Sequence, residues 1–272
     1  MLQVSELFIY PVKSLGGIAV QRAEITNTGF KYDRRWMLVD EQNVFLTQRT
    51  LHQMALLQAS QTENGITVTH KHYPSRSILI PFEIAIAAAL KVIVWDDICD
   101  AIEVDKKLNN WFSEMLHINC KLVYMPDHTK RLVDKRYAAN DEITSFSDGY
   151  PVLMIGQSSL NKLNEKLTEA LPINRFRPNI VFTGGHAHIE DEMAAFDINA
   201  INFLGVKPCS RCVMTTINQQ TAEAGKEPLR TLAAYRMKEN KIYFGQNVLP
   251  QQNGFIHIGD EIKIVQQREA FI

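Results

Sequence analysis

Through the first hundred residues, apolar and polar positions alternate in short runs, the period-two pattern of half-buried strands. "SELFIYPVKS" alternates and breaks at Pro11. "RRWMLVDEQNVFLTQR" predicts a hairpin, with Trp36, Leu38 and Phe45 flanking a turn over residues 40–43. "NGITVTHKH", following an Asn-Gly turn, and "ALKVIVWDD" predict two more strands. The pattern then changes period. In "VDKKLNNWFSEMLH", Val104, Leu108, Trp111, Phe112, Met115 and Leu116 recur at helical spacing. "CKLVYMP" returns to a strand, and the polar stretch from Asp127 to Tyr150 predicts an irregular crossing between two domains.

The second half opens on the strand "PVLMIG". "SSLNKLNEKLTEALP" predicts a helix capped by Ser158 or Ser159, striped by Leu160, Leu163, Leu167 and Leu171, and ended by Pro172. "NRFRPNIVFTGG" reads as extended, with Arg175 and Arg177 on one face and Phe176 on the other. "EPLRTLAAYRM" predicts a short helix; "KIYFGQNVLP" and "DEIKIV" predict strands. Many short strands with a few helices define a mainly β chain of α+β class. In the first half, closely spaced strands with polar turns suggest a small barrel or sandwich.

Composition narrows the function. With 272 residues, 46% apolar content and a formal net charge of −1, the chain can build sizeable cores and offers no basic field for nucleic acid or a membrane surface. The most apolar stretch, "SILIPFEIAIAAALKVIVW", is broken by Pro81, Glu83 and Lys91, so no membrane span is expected. No signal peptide is evident, and four cysteines do not make a disulfide framework; a cytoplasmic protein with reduced thiols is expected.

Two of those cysteines, Cys209 and Cys212, share the segment "KPCSRCVMTT". A structural zinc site needs four ligands and this pair supplies two. His186 and His188 of "HAHIED" would be the best complement, although that stretch reads more simply as a polar surface turn. A thioredoxin-like dithiol would sit at a helix start, whereas "VMTTI" reads as a strand. As a third alternative, both thiols are small buried hydrophobes. Cations are scattered more widely. Lys13 and Ser14 stand at a strand end beside Gly16 and Gly17, whose small size would let the backbone approach a ligand. Arg34 and Arg35 of "YDRRW" fall on opposite faces of a strand, and Arg177 precedes Pro178 and Asn179. Guanidinium groups of this kind hold oxyanions in two-point contacts.

Taken in order, PVKSLGG, YDRRWMLVD, LTQR, RFRPNIV, KPCSRCVMTT, EPLRTLAAYR and FGQN resemble the MOSC-domain proteins. More narrowly, the chain looks like the branch of the mitochondrial amidoxime-reducing component and its bacterial homologues, and the resemblance extends to about residue 264. It implies an amino-terminal β-barrel-like domain over residues 1–122 and a second, MOSC β-barrel domain with flanking helices over 123–272, and with them a molybdenum-pterin cofactor (Mo-molybdopterin) whose metal is held by the Cys212 thiolate. It further implies that Lys13, Ser14, Arg34, Arg177 and Asn179 surround the pterin and its phosphate, that Ser210 lies beside the ligand, and that Asp148 is near the metal as a proton relay. Gln246 and Asn247 would close the pocket, with Asn247 where relatives carry tyrosine.

The activity implied is reduction of small N-hydroxylated substrates: hydroxylamines, amidoximes or N-hydroxylated bases. Electrons would come from a separate donor protein of ferredoxin, flavoprotein or cytochrome type. Neither the ferredoxin-like domain with its iron–sulfur cysteines that some bacterial relatives carry nor the membrane anchor of mitochondrial ones is expected. Two other readings use the same residues. One is a carrier of sulfur or of the molybdenum cofactor working through Cys212. The other is a pyridoxal phosphate enzyme with Lys13 as its Schiff-base lysine.

Overall fold

A computed structural model describes residues 1–84, 89–138 and 140–272. Seven strands close into a barrel in the order Val152–Gly156, Ile180–Thr183, Leu2–Ile9, Glu261–Gln267, Met193–Ile198, Ile201–Ser210 and Lys241–Pro250, the last pairing with the first. Every pair is antiparallel except Val152–Gly156 with Ile180–Thr183. The first strand of the chain is therefore a stave of a barrel built mostly from the second half. A register shift between Val4 and Glu6 lets Val4 join Leu7 and Ile9 in the core with Phe182, Phe196 and Phe203. Phe196 and Phe203 stack with ring centroids 5.4 Å apart.

Residues between this first stave and the crossing form a half-barrel. A four-stranded sheet runs Trp36–Val39, Lys121–Tyr124, Asp97–Glu103 and Ala89–Val94; a three-stranded sheet runs Leu57–Gln61, Gly65–His70 and Tyr73–Pro81. "WMLV" is continuously apolar because both faces of its strand are covered. Trp36 and Leu38 enter a core with Phe112 and Leu122, whereas Met37 and Val39 enter another with Val92 and Phe146. The expected hairpin return is looser: Leu46 N–H donates to Leu38 O at 2.8 Å and Phe45 bridges Val39, without a regular second strand. Helix α1 (Lys106–Leu116) starts on Asp105, whose carboxylate accepts from Lys107 N–H, and buries Leu108, Phe112 and Leu116. No helix among the described residues is long and apolar enough to cross a membrane; residues 85–88 of the apolar stretch lie outside the described ones.

Several local expectations are corrected. Helix α2 spans only Gln157–Asn164 and is capped at Gly156 rather than at a serine. Its leucine stripe continues, but the Asn164 amide donates to Leu171 O at 3.1 Å and accepts from Leu171 N–H at 3.0 Å, closing a loop in place of further helix. Ser159, the expected cap, instead donates to Glu190 at 2.8 Å. "HAHIED" is no surface turn: it leads into a one-turn helix, Ile189–Asp191, whose Glu190 and Asp191 are buried. "VMTT" is a one-turn helix, Val213–Thr216, because the Thr215 and Thr216 hydroxyls donate to the carbonyls of Cys212 and Val213 at 3.0 and 2.8 Å. Arg175 closes another single turn, Ile173–Arg175, before the strand Ile180–Thr183 begins. Arg34 and Arg35 leave a turn, not a strand, yet still point apart: Arg34 towards Asn179 and Arg35 towards Met125 O and Asp127. The third helix, α3 (Leu229–Arg236), lies where expected.

Candidate functional site

Between barrel and half-barrel lies a cavity of ≈ 360 Å³. Lys13, Ser14, Arg34, Asp148, Arg177, Asn179, Ser210, Cys212 and Asn247 all reach its wall, although they come from both halves of the chain. Gln246 does not. It is fully buried, and its side chain faces Val206 N–H and Arg268 behind the strand. Asn247 and Gln246 alternate across that strand, so only one can face the cavity.

One end is organised around a buried carboxylate. Asp33 accepts from Tyr10 N–H at 2.8 Å, from Arg34 at 2.6 Å and from the Asn179 amide at 3.0 Å. Asn179 also donates to Phe8 O and accepts from Leu153 N–H, so its amide is spent on joining the halves. Burial pushes the Asp33 carboxyl up, and the Arg34 ion pair opposes that. The guanidinium carbons of Arg34 and Arg177 each lie 4.3 Å from the Tyr10 ring centroid. Burial, followed by repulsion from Arg34, lowers Arg177 to about 10. Ser14, Arg34 and Arg177 all hold φ between 49° and 68°, a left-handed conformation costing about 1–2 kcal/mol each. Such strain persists where surrounding structure over-determines it, as at ligand sites. Gly16 and Gly17 serve packing rather than ligand approach: a Cβ on Gly17 would stand 2.3 Å from the Tyr10 ring, and one on Gly16 2.5 Å from Gln58 Oε1.

At the other end, Lys13 is 4% exposed, and its ammonium donates to Phe146 O at 2.7 Å and to Asp148 at 2.6 Å. Burial brings it down to about 8 against the pull of Asp148. A Schiff base on this amine would break both contacts. Partial enclosure would raise the carboxyl of Asp148, whose side chain keeps one side open to water, but Lys13 and Arg49 outweigh it and hold the group well below the usual carboxylate range. A carboxylate so firmly ionised is a poor proton relay near neutrality. Arg49, which the sequence reading did not single out, donates through Nε to Cys212 Sγ at 3.2 Å and through Nη2 to Asp148 at 3.1 Å. Arg211 donates to Cys209 Sγ at 3.0 Å. Trp95, also missed, stacks on Arg49 at 4.3 Å. Position in the "LTQR" loop was the only signal for Arg49, because its sulfur partner lies 163 residues away.

Among the described residues, seven cationic side chains line the cavity against one carboxylate, Asp148, in a protein whose formal net charge is −1. The excess selects an anionic ligand. The Ser14 hydroxyl and Arg211 Nε are buried there without a hydrogen-bond partner among the described residues, and the half-buried Cys212 thiol supplies a soft donor. This donor set fits a phosphorylated, sulfur-ligated metallopterin. Among the described residues, no group of three or more His, Cys, Asp or Glu side chains is gathered to bind a bare metal ion.

Fold and site together define a two-part β-barrel protein with a cationic, thiol-bearing cleft at the junction. Residues 1–119 match the MOSC N-terminal beta barrel domain and residues 141–263 match the MOSC domain; the chain belongs to the family that carries them. It is 28% identical to Mitochondrial amidoxime-reducing component 1 of Mus musculus, covering 97% of this chain and 82% of that one. With the Homo sapiens protein of the same name it shares 29% identity, over 97% and 83%. With Molybdenum cofactor sulfurase of Oryza sativa subsp. japonica identity is 29%, over 90% of this chain and 32% of the relative.

Proposed function

We propose that the protein is a cytoplasmic molybdenum-cofactor oxidoreductase that reduces small N-hydroxylated compounds, taking electrons from a separate donor protein. The cofactor would supply the two-electron chemistry, and the chain would bind and orient it. Cys212 would contribute the thiolate ligand. Lys13, Arg34, Arg177 and the free Ser14 hydroxyl would hold the phosphate and pterin, with Ser210 and Asn247 beside them. Lys13, brought down to about 8 by burial, is a better candidate for handing over a proton than Asp148, which would stay ionised and orient Lys13 and Arg49. The observation that carries this reading is a sulfur on the wall of a cavity with seven cations and an unpartnered hydroxyl. Likeness to amidoxime-reducing components over 97% of the chain supports the reaction class.

The test is metal analysis of wild type and Cys212→Ser after expression in a host that makes the cofactor. It is paired with benzamidoxime reduction driven by a chemically reduced dye. One molybdenum per chain with turnover in wild type, and neither in the variant, is the expected result. Metal-free wild type from such a host would overturn the proposal. Likeness to a molybdenum cofactor sulfurase favours a second reading, a carrier of sulfur or cofactor working through Cys212. Tightly held molybdenum without turnover would select it.

A further inference from the structure

The guanidinium of Arg49 is engaged at every nitrogen. Nε donates to Cys212 Sγ at 3.2 Å, Nη2 to Asp148 at 3.1 Å and Nη1 to the Thr47 hydroxyl at 3.4 Å. Its carbon lies 4.3 Å from the Trp95 ring centroid, and Trp95 Nε1 donates to the same Asp148 carboxylate at 3.3 Å. Trp95 in turn packs on Phe45 with centroids 4.8 Å apart and holds a left-handed φ of 57°. A planar fork held at three points and covered by a ring has almost no freedom left. The sulfur is its one partner with no other hydrogen bond among the described residues.

A plain stabilising role does not account for this frame. The Asp148 side chain remains 56% exposed, and an ion pair open to water on one side contributes at most about 1 kcal/mol. What the frame does instead is fix where one N–H of the half-barrel meets the sulfur of the barrel.

We infer that Arg49 is a positioning residue for the Cys212 sulfur. Through Nε it selects one side-chain rotamer, aimed into the cavity, and it withdraws electron density from the sulfur once a metal is bound. Trp95 and Asp148 lock Arg49 in that pose. The second half of this inference rests on the molybdenum reading; the first half does not. Hydrogen bonds to ligand sulfur raise the reduction potential of sulfur-ligated metals, and groups that orient ligands typically change metal affinity by about 10–100-fold when removed.

The experiment compares wild type, Arg49→Gln, Arg49→Lys and Trp95→Phe. In metal-free protein, the Cys212 χ1 populations are read by NMR couplings on selectively labelled cysteine. Wild type is expected to show one rotamer and Arg49→Gln an average of several, with Arg49→Lys between them. In protein from a cofactor-producing host, Arg49→Gln should retain about tenfold less molybdenum through gel filtration and titrate its Mo(V) electron paramagnetic resonance signal at a lower potential. Trp95→Phe keeps the stacking but loses the Asp148 donor, and should shift the same readouts in the same direction by less. Unchanged Cys212 rotamers in Arg49→Gln overturn the inference whether or not metal is found. If Arg49→Gln does not fold, Arg49→Lys decides: a single rotamer and a wild-type potential overturn it. Metal-free wild type removes the molybdenum reading alone and leaves the rotamer result to judge Arg49.

Discussion

Three side chains of the cleft, Ser14, Arg34 and Arg177, are held by backbone that non-glycine residues avoid. That cost fixes charge and hydroxyl direction before any ligand arrives. Arg177→Ala should therefore weaken phosphate-type ligands about tenfold or more, since a charged hydrogen bond contributes about 1.5–3 kcal/mol; calorimetry with a pterin monophosphate measures it. Lys13 gives the site its pH dependence. With its pKa at about 8 rather than 10.5, the ammonium is charged below that value and lost above it. Anion affinity should fall as pH climbs from about 7 to 9, and Lys13→Arg should flatten the profile. At this scale much was legible: the lysine, serine and arginines of the quoted motifs do meet in one cavity. Arg49 and Trp95 are not, because their meaning lies in partners far along the chain, and Gln246 lies on the face of its strand turned from the cavity, as its parity with Asn247 requires.

Among the elements, α1 lies where its apolar stripe alone predicts it, with Asp105 as a cap the stripe does not reveal. Helix α2, for which the sequence offers a stripe, a serine cap and a proline stop, is nevertheless shorter, because the Asn164 side chain sets its end. The start of α2 hides a second fact. Glu190 is wholly buried, accepts from Ser159 at 2.8 Å and from Gly156 N–H at 3.3 Å, and is raised by burial to about 7. A raised acid binds its proton more tightly in the folded state, so its contribution is full below about 4.5 and is lost as pH rises through about 7. Roughly 3 kcal/mol is at stake. Glu190→Gln should flatten the urea-unfolding free energy across that window and be the more stable protein at pH 8. Gly17→Ala tests the turn after Lys13. Its Cβ would strike the Tyr10 ring, and a destabilisation of about 1–3 kcal/mol in the same assay is expected.

For the molecule as a whole, alternation finds short strands in both halves, yet it cannot reveal which strand closes which barrel. Pairing is long-range information: Leu2–Ile9 lies between Ile180–Thr183 and Glu261–Gln267. A fragment of residues 123–272 would lack that stave and expose two long edges. It should show no cooperative unfolding transition by circular dichroism, whereas the intact chain should show one.

Arg34 and Arg177, crowded beside one tyrosine ring, repel each other. The folded protein thus carries electrostatic frustration at its junction, and an entering anion would relieve it. Loading and heat resistance become a single measurable quantity: at a hundredfold excess over its dissociation constant, a ligand adds about 2.7 kcal/mol. A thermal-shift screen of phosphorylated heterocycles would then rank candidate occupants by how far each one calms that charged seam.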